Sequence, residues 1–294
     1  MRHTLAAPAS AAGRIAVRLA TRLPVIALLA CTLLCLAPGF ESDERSLDLR
    51  LTASSVAAFR DTRQGMRNPL AAWAAYLAGL ARGDLGESST YGAPVAGLVR
   101  ERWPVTFSSL AGGLLGGWLL AGGAASVLFL LRRRAATLAV GAAATVLICV
   151  PSAMVGLAAM LLDVPVAAAV AVVIFPRVYQ YAGRVLTRAG GAPHVLCAAG
   201  AGVTRWRLFC FACLPPALPE LVAVAAASVG IALASVVPLE VICDSPGLGQ
   251  LAWQATLGRD IPLLLTVTLA MAAVANVCAA AADTAIQALA RRQA

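Results

Sequence analysis

Residues 196–215 read LCAAGAGVTRWRLFCFACLP and lie between two long apolar segments. The first half consists of small residues that lead into Gly202, and the second half is basic and partly apolar, with Arg205 and Arg207. Small side chains let a short helix approach another surface closely, and Gly202 can adopt backbone angles that other residues avoid. Pro215 is expected to limit continuation of the helix into the next apolar segment. The stretch therefore predicts a loop between two spans that contains a short helix and a glycine with unusual backbone angles.

The composition of the whole chain is that of a helical membrane protein. Of its 294 residues, 60% are apolar and 13% are charged, with a mean hydropathy of +0.83, which leaves too little polar surface for a soluble domain. The net charge of +9 is carried by arginine, because the chain has no lysine. A Walker A loop and a Schiff-base mechanism both require lysine, so any ATP hydrolysis that drives this protein takes place on another chain. The arginines mostly flank apolar segments and form no aromatic-interleaved patch, which argues against nucleic-acid binding.

Six apolar segments are long enough to cross a bilayer, which takes about 20 residues per helix. They are 19–38, 104–131, 136–161, 164–183, 217–241 and 262–287. With the N-terminus inside, the predicted cytoplasmic segments carry most of the arginines, including Arg177, Arg184 and Arg188, and almost every acidic residue falls outside. The sequence thus predicts an all-α protein of the bacterial cytoplasmic (inner) membrane with both termini in the cytoplasm.

This topology divides the chain into two parts. Residues 1–103 are expected to form the first span and a long external loop with short amphipathic helices, and residues 104–294 a five-span core. The segment around 184–216, between the fourth and fifth spans, is then cytoplasmic. It contains the stretch at 196–215, so this stretch is expected on the cytoplasmic side.

The external loop, 39–103, contains two predicted helices. In one of them Asn68 can act as the N-cap, Pro69 can occupy the first position and Gly83 can end the helix. Its apolar residues at helical spacing are Leu70, Trp73, Leu77 and Leu80. Such a face suits a helix lying on the membrane or on other spans, which is the preferred interpretation, or a docking surface for an external partner. Residues 52–60 are the second candidate.

The first span has an alternative interpretation as a cleaved leader. An arginine-rich segment precedes a short apolar core, and the tetrapeptide that ends at Cys31 (LLAC) resembles a lipoprotein cleavage box. Apolar residues nevertheless continue through Leu36. Cleavage would also leave five spans and put arginine-rich loops on mismatched sides, so a retained span is preferred.

Glycines, a proline and an acidic residue inside the spans mark places where helices are expected to meet. Glycines at four-residue spacing let helix backbones approach closely, which favours packing over substrate contact. They are Gly112, Gly113, Gly116 and Gly117. Pro151 interrupts the third span, either as a kink or as a break that frees carbonyls to line a pathway. Glu240 is predicted close to the external interface, where it could hold a gate or the outer loop.

The remaining candidate chemical groups have simpler interpretations. Cys210 and Cys213 form a C-x-x-C pair, but without a second pair they are better read as small apolar residues than as a zinc or redox site. The two histidines, His3 and His194, are too few for a metal cluster. Asp283 lies near the cytoplasmic end of the last span and can reach water, so a proton-relay role is disfavoured.

The stretch at 196–215 resembles the cytoplasmic coupling loop of ABC-importer permeases, where a helix–glycine–helix element sits in a cleft of the ATPase subunit. Further motifs resemble those of the dipeptide/oligopeptide/nickel permease family, in the same order and spacing over nearly the whole chain. With the family's pattern in brackets, they are residues 83–86 (G-D-L-G), 101–106 (E-R-x-P-x-T), 150–156 (I-P-S-F-W-x-G), 240–249 (E-x-x-F-x-x-P-G-L-G) and 259–262 (R-D-Y-P).

The resemblance implies the membrane half of an ATP-driven importer for peptides or similar small solutes, with no covalent chemistry of its own. ATP and Mg²⁺ would bind to partner ATPase subunits, a second permease subunit (a copy or a paralogue) would complete the pathway, and an extracytoplasmic solute-binding protein would deliver the cargo. The implied ATPase-coupling residues are Ala198, Gly202, Arg205, Arg207, Leu214 and Pro215. The candidates for an external gate or loop are Glu240, Pro246, Gly247 and Gly249.

The chain departs from the family pattern in its coupling loop. Two other functional classes also remain as alternatives. The family's coupling loop usually carries charged residues, as in E-A-A or R-T-A-R-A-K-G, whereas this chain has LCAAGA before Gly202. This bears on the strength of coupling, on the identity of the ATPase and on whether the chain is a degenerate member of a heterodimer. A stand-alone secondary transporter or channel would need midplane ion-binding groups and paired broken helices, which the sequence does not show. A membrane enzyme would need clustered catalytic side chains.

Overall fold

A computed structural model describes residues 11–36, 69–131 and 133–293 of the chain. The described part is helical apart from one short two-stranded hairpin. Its elements are α1 (Ala11–Leu36), α2 (Pro69–Ala81), β1 (Glu87–Ser88), β2 (Ala93–Pro94), α3 (Val95–Leu131), α4 (Arg134–Cys149), α5 (Ser152–Leu161), α6 (Val166–Gly190), α7 (Pro193–Gly200), α8 (Arg205–Arg207), a π-helical segment (Leu208–Cys213), α9 (Leu214–Ile242), α10 (Leu248–Leu257) and α11 (Ile261–Gln293).

Five helices in the described ranges are long and apolar enough to cross a membrane, and one bent pair makes six if it counts as a single span. The five are α1, α3, α6, α11 and the continuous run from Arg205 to Ile242. An all-α membrane fold is therefore confirmed, while the predicted count of six depends on the bent pair. The helices extend beyond the apolar segments that predicted them: α3 starts at Val95 and α6 ends at Gly190. Backbone hydrogen bonding continues past the point at which the side chains become polar.

The third predicted span consists of two helices rather than one. α4 and α5 meet at an angle of 98°. The residue between α4 and Pro151 is Val150, whose backbone is extended at φ −77° and ψ 121°. Proline has no N–H to donate, and its ring disfavours the helical conformation in the residue before it. The segment 136–161 is thus a broken or re-entrant element, and the simple kink that the sequence also allowed is wrong.

The chain divides into two compact units. One groups Ala16–Arg102 with Leu251–Val274, and the other groups Trp103–Gln250 with Met1–Ile15 and Ala275–Ala294. Inside the first unit, α2 packs on α1 and on the start of α11. The apolar residues of this contact are Cys31, Trp73, Tyr76, Ile261 and Leu265. The Trp73 indole N–H donates to the Pro24 carbonyl at 2.9 Å, and the Tyr76 hydroxyl lies 3.0 Å from that of Thr266.

The helix predicted in the external loop forms, and its predicted inward face is confirmed in part, since Trp73 packs inward. α2 begins at Pro69, and Gly83 follows it in the left-handed region at φ 78°. Leu70 and Leu80 remain 60% and 38% exposed, whereas Tyr76 packs inward. The prediction counted aliphatic and tryptophan side chains and passed over tyrosine, whose ring is apolar and whose hydroxyl finds a partner here. Asn68 and the second candidate helix at 52–60 lie outside the described residues.

The short hairpin of the first unit is tied to α11 by one buried carboxylate. Asp260 is 1% exposed and precedes the first turn of α11. It accepts hydrogen bonds from the Ser88 hydroxyl at 2.5 Å and from the backbone N–H of Thr90 at 3.0 Å. It also accepts one from the N–H of Leu263 at 3.2 Å, which satisfies a free donor of the helix end. The R-D-Y-P-like motif at 259–262 therefore includes a helix cap that holds the loop.

In the second unit the glycines of α3 lie against α6. A Cβ on Gly113 would stand 2.9 Å from the carbonyl oxygen of Ala167 and 2.5 Å from the Cβ of Val170. The neighbouring glycines are also close: a Cβ on Gly117 would stand 3.0 Å from Ile174, and one on Gly112 3.2 Å from Ala167. A Cβ on Gly116 would meet Ala171 at 3.4 Å, an ordinary contact. The closest approach of the two helices is therefore at Gly113.

Gly113→Ala is expected to destabilise the protein by about 1–3 kcal/mol, because the added methyl group would overlap α6 backbone and side-chain atoms. Gly122→Ala is the matched control, since no atom lies within 4 Å of a Cβ at that position of the same helix. Both changes give the same gain in helix propensity, so their difference isolates the packing cost. Thermal unfolding of the detergent-solubilised variants measures it. Equal melting temperatures would contradict close packing at Gly113.

Candidate functional site

The stretch at 196–215 folds as a helix–glycine–helix element. α7 ends at Gly200, and the chain turns at Gly202, whose φ of 82° lies in the left-handed region that glycine enters without strain. Helix resumes at Arg205 and continues through α8, the π-helical segment and α9 as one run of 38 residues to Ile242. The second helix of the element and the following membrane span are therefore the same helix.

The expectation that Pro215 would limit helix continuation is wrong. Pro215 lies in the first turn of α9, directly after the π-helical segment. Proline is tolerated in a first turn because its missing N–H has no α-helical acceptor to lose there. The π-helical turn that precedes it also displaces the backbone pairing by one residue. Leu214 and Pro215 are half-buried in this continuous helix, and Ala198 is half-buried in α7.

The surface of the element combines residues predicted from the sequence with apolar residues that were not predicted. Gly202, Arg205 and Arg207 are exposed, as a contact role would require. Three large apolar side chains beside them are also exposed and were not among the predicted contacts: Leu196 at 56%, Trp206 at 64% and Phe211 at 79%. The alternation of basic and aromatic residues at 205–211 could have predicted Trp206 and Phe211 as contact residues. From the sequence, this stretch was interpreted only as basic and partly apolar.

The element is fixed to the transmembrane helices at several points. Phe209 is buried, and its ring centroid lies 5.9 Å from that of Phe129 on α3. The Arg205 guanidinium donates to the carbonyl of Leu130 at 3.2 Å, near the end of the same helix. A Cβ on Gly190 would lie 2.6 Å from the Phe129 ring, so the end of α6 also approaches α3 closely. The exposed face is therefore presented from a fixed base.

A second cluster surrounds Glu240, close to the other end of α9. The Glu240 carboxylate is fully buried and accepts hydrogen bonds from the Thr106 hydroxyl at 2.8 Å and from the N–H of Gly249 at 2.7 Å. Thr106 in turn accepts a hydrogen bond from the N–H of Leu248 at 2.7 Å. The N–H groups belong to the first turn of α10, where a negative charge is stabilised by the helix dipole. One acidic side chain thus joins α3, α9 and α10.

The glycines at 247 and 249 make room for this carboxylate. A Cβ on Gly247 would overlap the Glu240 carboxylate, and a Cβ on Gly249 would stand 2.6 Å from the Cα of Val237. Pro246, between the acid and the glycines, is exposed. The residues predicted as an external gate or loop are therefore together in space, with Pro246 on the outside.

The two clusters lie near opposite ends of one helix. Leu214 and Glu240 are 26 residues apart along α9, or about 39 Å at 1.5 Å per residue. Among the residues that the structure describes, no three His, Cys, Asp or Glu side chains are grouped so that they could hold a metal ion. The arrangement offers an exposed basic and aromatic surface at one end and a buried polar joint at the other, which suits transmission of a movement rather than bond chemistry.

Comparisons with known proteins agree with this architecture. Residues 113–294 match the family model described as "Binding-protein-dependent transport system inner membrane component". Two solved structures share the fold, both inward-facing conformations of the MetNI methionine ABC transporter, one from a selenomethionine-soaked and one from a native crystal form. They superpose with TM-scores of 0.55 and 0.54 at 16% and 17% identity, each covering 65% of this chain and 96% of its own. No curated protein sequence matches the chain.

Proposed function

The chain belongs to the family of binding-protein-dependent transport system inner membrane components, whose model matches more than half of its length, and we propose that it is the permease subunit of an ATP-driven importer for peptides or similarly sized solutes. It is a multi-pass inner-membrane protein and not itself a catalyst. The peptide assignment rests on the motif resemblance to dipeptide and oligopeptide permeases at 83–86, 101–106, 150–156, 240–249 and 259–262.

The helix–glycine–helix element is the observation that carries the proposal. Gly202, Arg205, Arg207 and the exposed Trp206 form a basic and aromatic surface that projects between two spans. Arginine suits contact with carboxylates of a protein partner, and a tryptophan adds a large apolar contact area at an interface. We expect an ATPase subunit to dock here, holding ATP and Mg²⁺ in its own chain.

The remaining partners follow from the same proposal. A second permease subunit, a copy of this chain or a paralogue, would complete the pathway. An extracytoplasmic solute-binding protein would present cargo at the opposite face, on the side of Glu240 and Pro246. Closure of the ATPase subunits would move the docked element, and hydrolysis would return it, in a rigid-body transition of the kind that alternating access requires.

A pull-down of the tagged protein from its native membrane in mild detergent, with partners identified by mass spectrometry, tests the proposal. We expect an ATPase subunit to be recovered in stoichiometric amount, and a second, different permease to be present only if the pathway is heterodimeric. Recovery of well-folded protein with no ATPase would contradict the proposal and favour a stand-alone transporter. A double Arg205→Ala/Arg207→Ala variant should recover several-fold less ATPase, which locates the contact.

A further inference from the structure

One arginine lies deep inside a transmembrane helix. Arg177 was assigned to a cytoplasmic segment by the sequence topology, but it is the middle of α6, which spans Val166–Gly190. It lies 11 residues from one helix end and 13 from the other, or about 17 and 20 Å along the axis. A charged side chain at this depth is costly unless it faces water or a partner, so its position marks a functional surface.

The Arg177 side chain does not turn back toward the basic end of α6. Its guanidinium donates to the carbonyl of Val173 at 3.0 Å, one turn toward the N-terminal half of the helix. Within the described ranges it forms no ion pair with a carboxylate. Pro176 beside it has no N–H, which leaves the carbonyl of Val172 without its helical partner at the same depth. The Arg177 guanidinium and the Val172 carbonyl, which lacks the N–H donor of residue 176, therefore lie at the same level of α6.

Arg177 begins a polar row along α6, which we call the α6 stripe. Its members, Arg177, Tyr181, Arg184 and Arg188, are separated by four, three and four residues and so share one face of the helix. Tyr181 is 54% exposed and lies against the Arg184 guanidinium, 5.7 Å from ring centroid to the central carbon. Arg188 pairs with Glu220 at 3.1 Å at the exposed end. The stripe runs from the middle of α6 to its basic end. Arg177 is half-buried, and the other three side chains are exposed.

In the described part of the chain, no carboxylate forms an ion pair with Arg177. Glu240 is engaged with Thr106 and Gly249, and Glu220 with Arg188. Asp283 lies 22 residues along α11 from Ile261, or about 33 Å, beyond the thickness of a bilayer core. A second copy would bring the same groups at the same depths. Lipid phosphates lie at the interface and do not reach mid-membrane.

We infer that the α6 stripe lines the translocation pathway and that Arg177 binds an anionic group, such as a carboxylate, of the transported solute. The inference rests on the proposed permease function and adds to it a class of cargo and a residue that selects it. Arg184 and Arg188 then supply a positive potential along the route from mid-membrane to the basic end. The arginine fork is suited to a carboxylate because it can donate two parallel hydrogen bonds.

Charged thiol reagents test the stripe without knowledge of the cargo. In a cysteine-free background, Tyr181→Cys serves as reporter in the complex with its ATPase, reconstituted into nanodiscs. We expect it to react with both 2-sulfonatoethyl methanethiosulfonate, an anion, and its cationic trimethylammonium analogue, with the anion favoured. Adding Arg177→Gln should lower the anion-to-cation rate ratio by roughly tenfold, because one charge within a few ångströms is lost in a poorly screened site. Arg177→Lys should keep most of the preference.

Two controls make the result specific. Arg188→Gln removes the same charge from an exposed position that water and salt screen, so it should change the ratio less than Arg177→Gln does. Leu119→Cys, 73% exposed on apolar α3, should react with neither reagent.

An unreactive Tyr181→Cys in a complex that retains its ATPase and hydrolyses ATP would overturn the inference, since the stripe would face lipid or a paralogous subunit, while the permease function would stand. A ratio unaffected by Arg177→Gln would overturn it as well. Loss of the ATPase from the preparation would instead count against the permease function.

Discussion

Replacing Glu240 with leucine is expected to destabilise the protein by about 3 kcal/mol. The substitution leaves three donors, the hydroxyl of Thr106 and the N–H groups of Gly249 and Gln250, without the acceptor that they now share. Each unsatisfied buried group costs roughly 1–3 kcal/mol. For a chain of this size the loss corresponds to a fall in Tm of roughly 5 °C, measured by thermal unfolding of the purified protein.

Glu240→Gln separates loss of hydrogen bonding from loss of volume. The glutamine amide has the same shape and keeps one acceptor oxygen, so it should lose about half as much stability as the leucine variant. Thr106→Val, which removes the hydroxyl that links Glu240 to Leu248, should fall in the same range. Melting temperatures equal to that of the unmodified protein for both Glu240 variants would mean that the cluster does not hold α3, α9 and α10 together.

Gly202→Trp is expected to abolish coupling while leaving the transmembrane helices folded. A side chain at φ 82° forces an L residue into the left-handed region, at a cost of about 1–3 kcal/mol, and the indole would stand on the surface that we propose for the ATPase. No atom lies within 4 Å of a Cβ at this position, so an internal clash contributes nothing to the effect. Uptake of the proposed peptide cargo in cells should fall at least tenfold, with ATPase recovery in the pull-down reduced.

Gly202→Asn is the matched control for this substitution. Asparagine tolerates the left-handed conformation and is small, so it should retain most of the uptake. Gly202→Ala has the backbone strain but not the large side chain. If its uptake is close to that of Gly202→Trp, the strain causes the loss; if it is close to that of Gly202→Asn, the size of the side chain does. Unchanged uptake in Gly202→Trp would mean that the ATPase contact lies elsewhere on the chain, even with the pull-down positive.

The membrane-spanning helices could be located from the sequence, because a long apolar segment in a membrane protein has few alternatives to a spanning helix. Local chemistry was also readable: Pro69 begins α2 and Gly83 follows it at positive φ, since both depend on the residue's own backbone. Pro151 marked an interruption, but whether it bends or breaks the span depends on the packing around it. Pro215 was misjudged because an irregular helical turn before it has no local signal.

The partners of Glu240 show where prediction from the sequence stops. The three residues stand in two family-like motifs, Thr106 in 101–106 and Glu240 and Gly249 in 240–249, yet the motifs do not state that they converge. Thr106 and Glu240 are 134 residues apart, and only the packing of α3 on α9 brings them to 2.8 Å. Arg177 is a different case. The predicted span at 164–183 already contained it, but the charge pattern assigned it to a cytoplasmic segment, and the structure places it in the middle of α6.

The unbroken helix from Arg205 to Ile242 has a mechanical consequence. It is a rod about 57 Å long, with the basic surface at one tip and Glu240 two residues before the other. A push on Arg205 along the rod is carried toward Glu240 by one continuous helix, in which Pro219 and Pro238 each remove one backbone hydrogen bond. The π-helical segment holds one residue more than an α-helical turn would, and expelling it would swivel the tip by about 100°, the angle between successive residues of an α-helix. The helix can therefore carry an axial displacement from one end to the other, and the π-helical segment is the place where it can rotate about its axis.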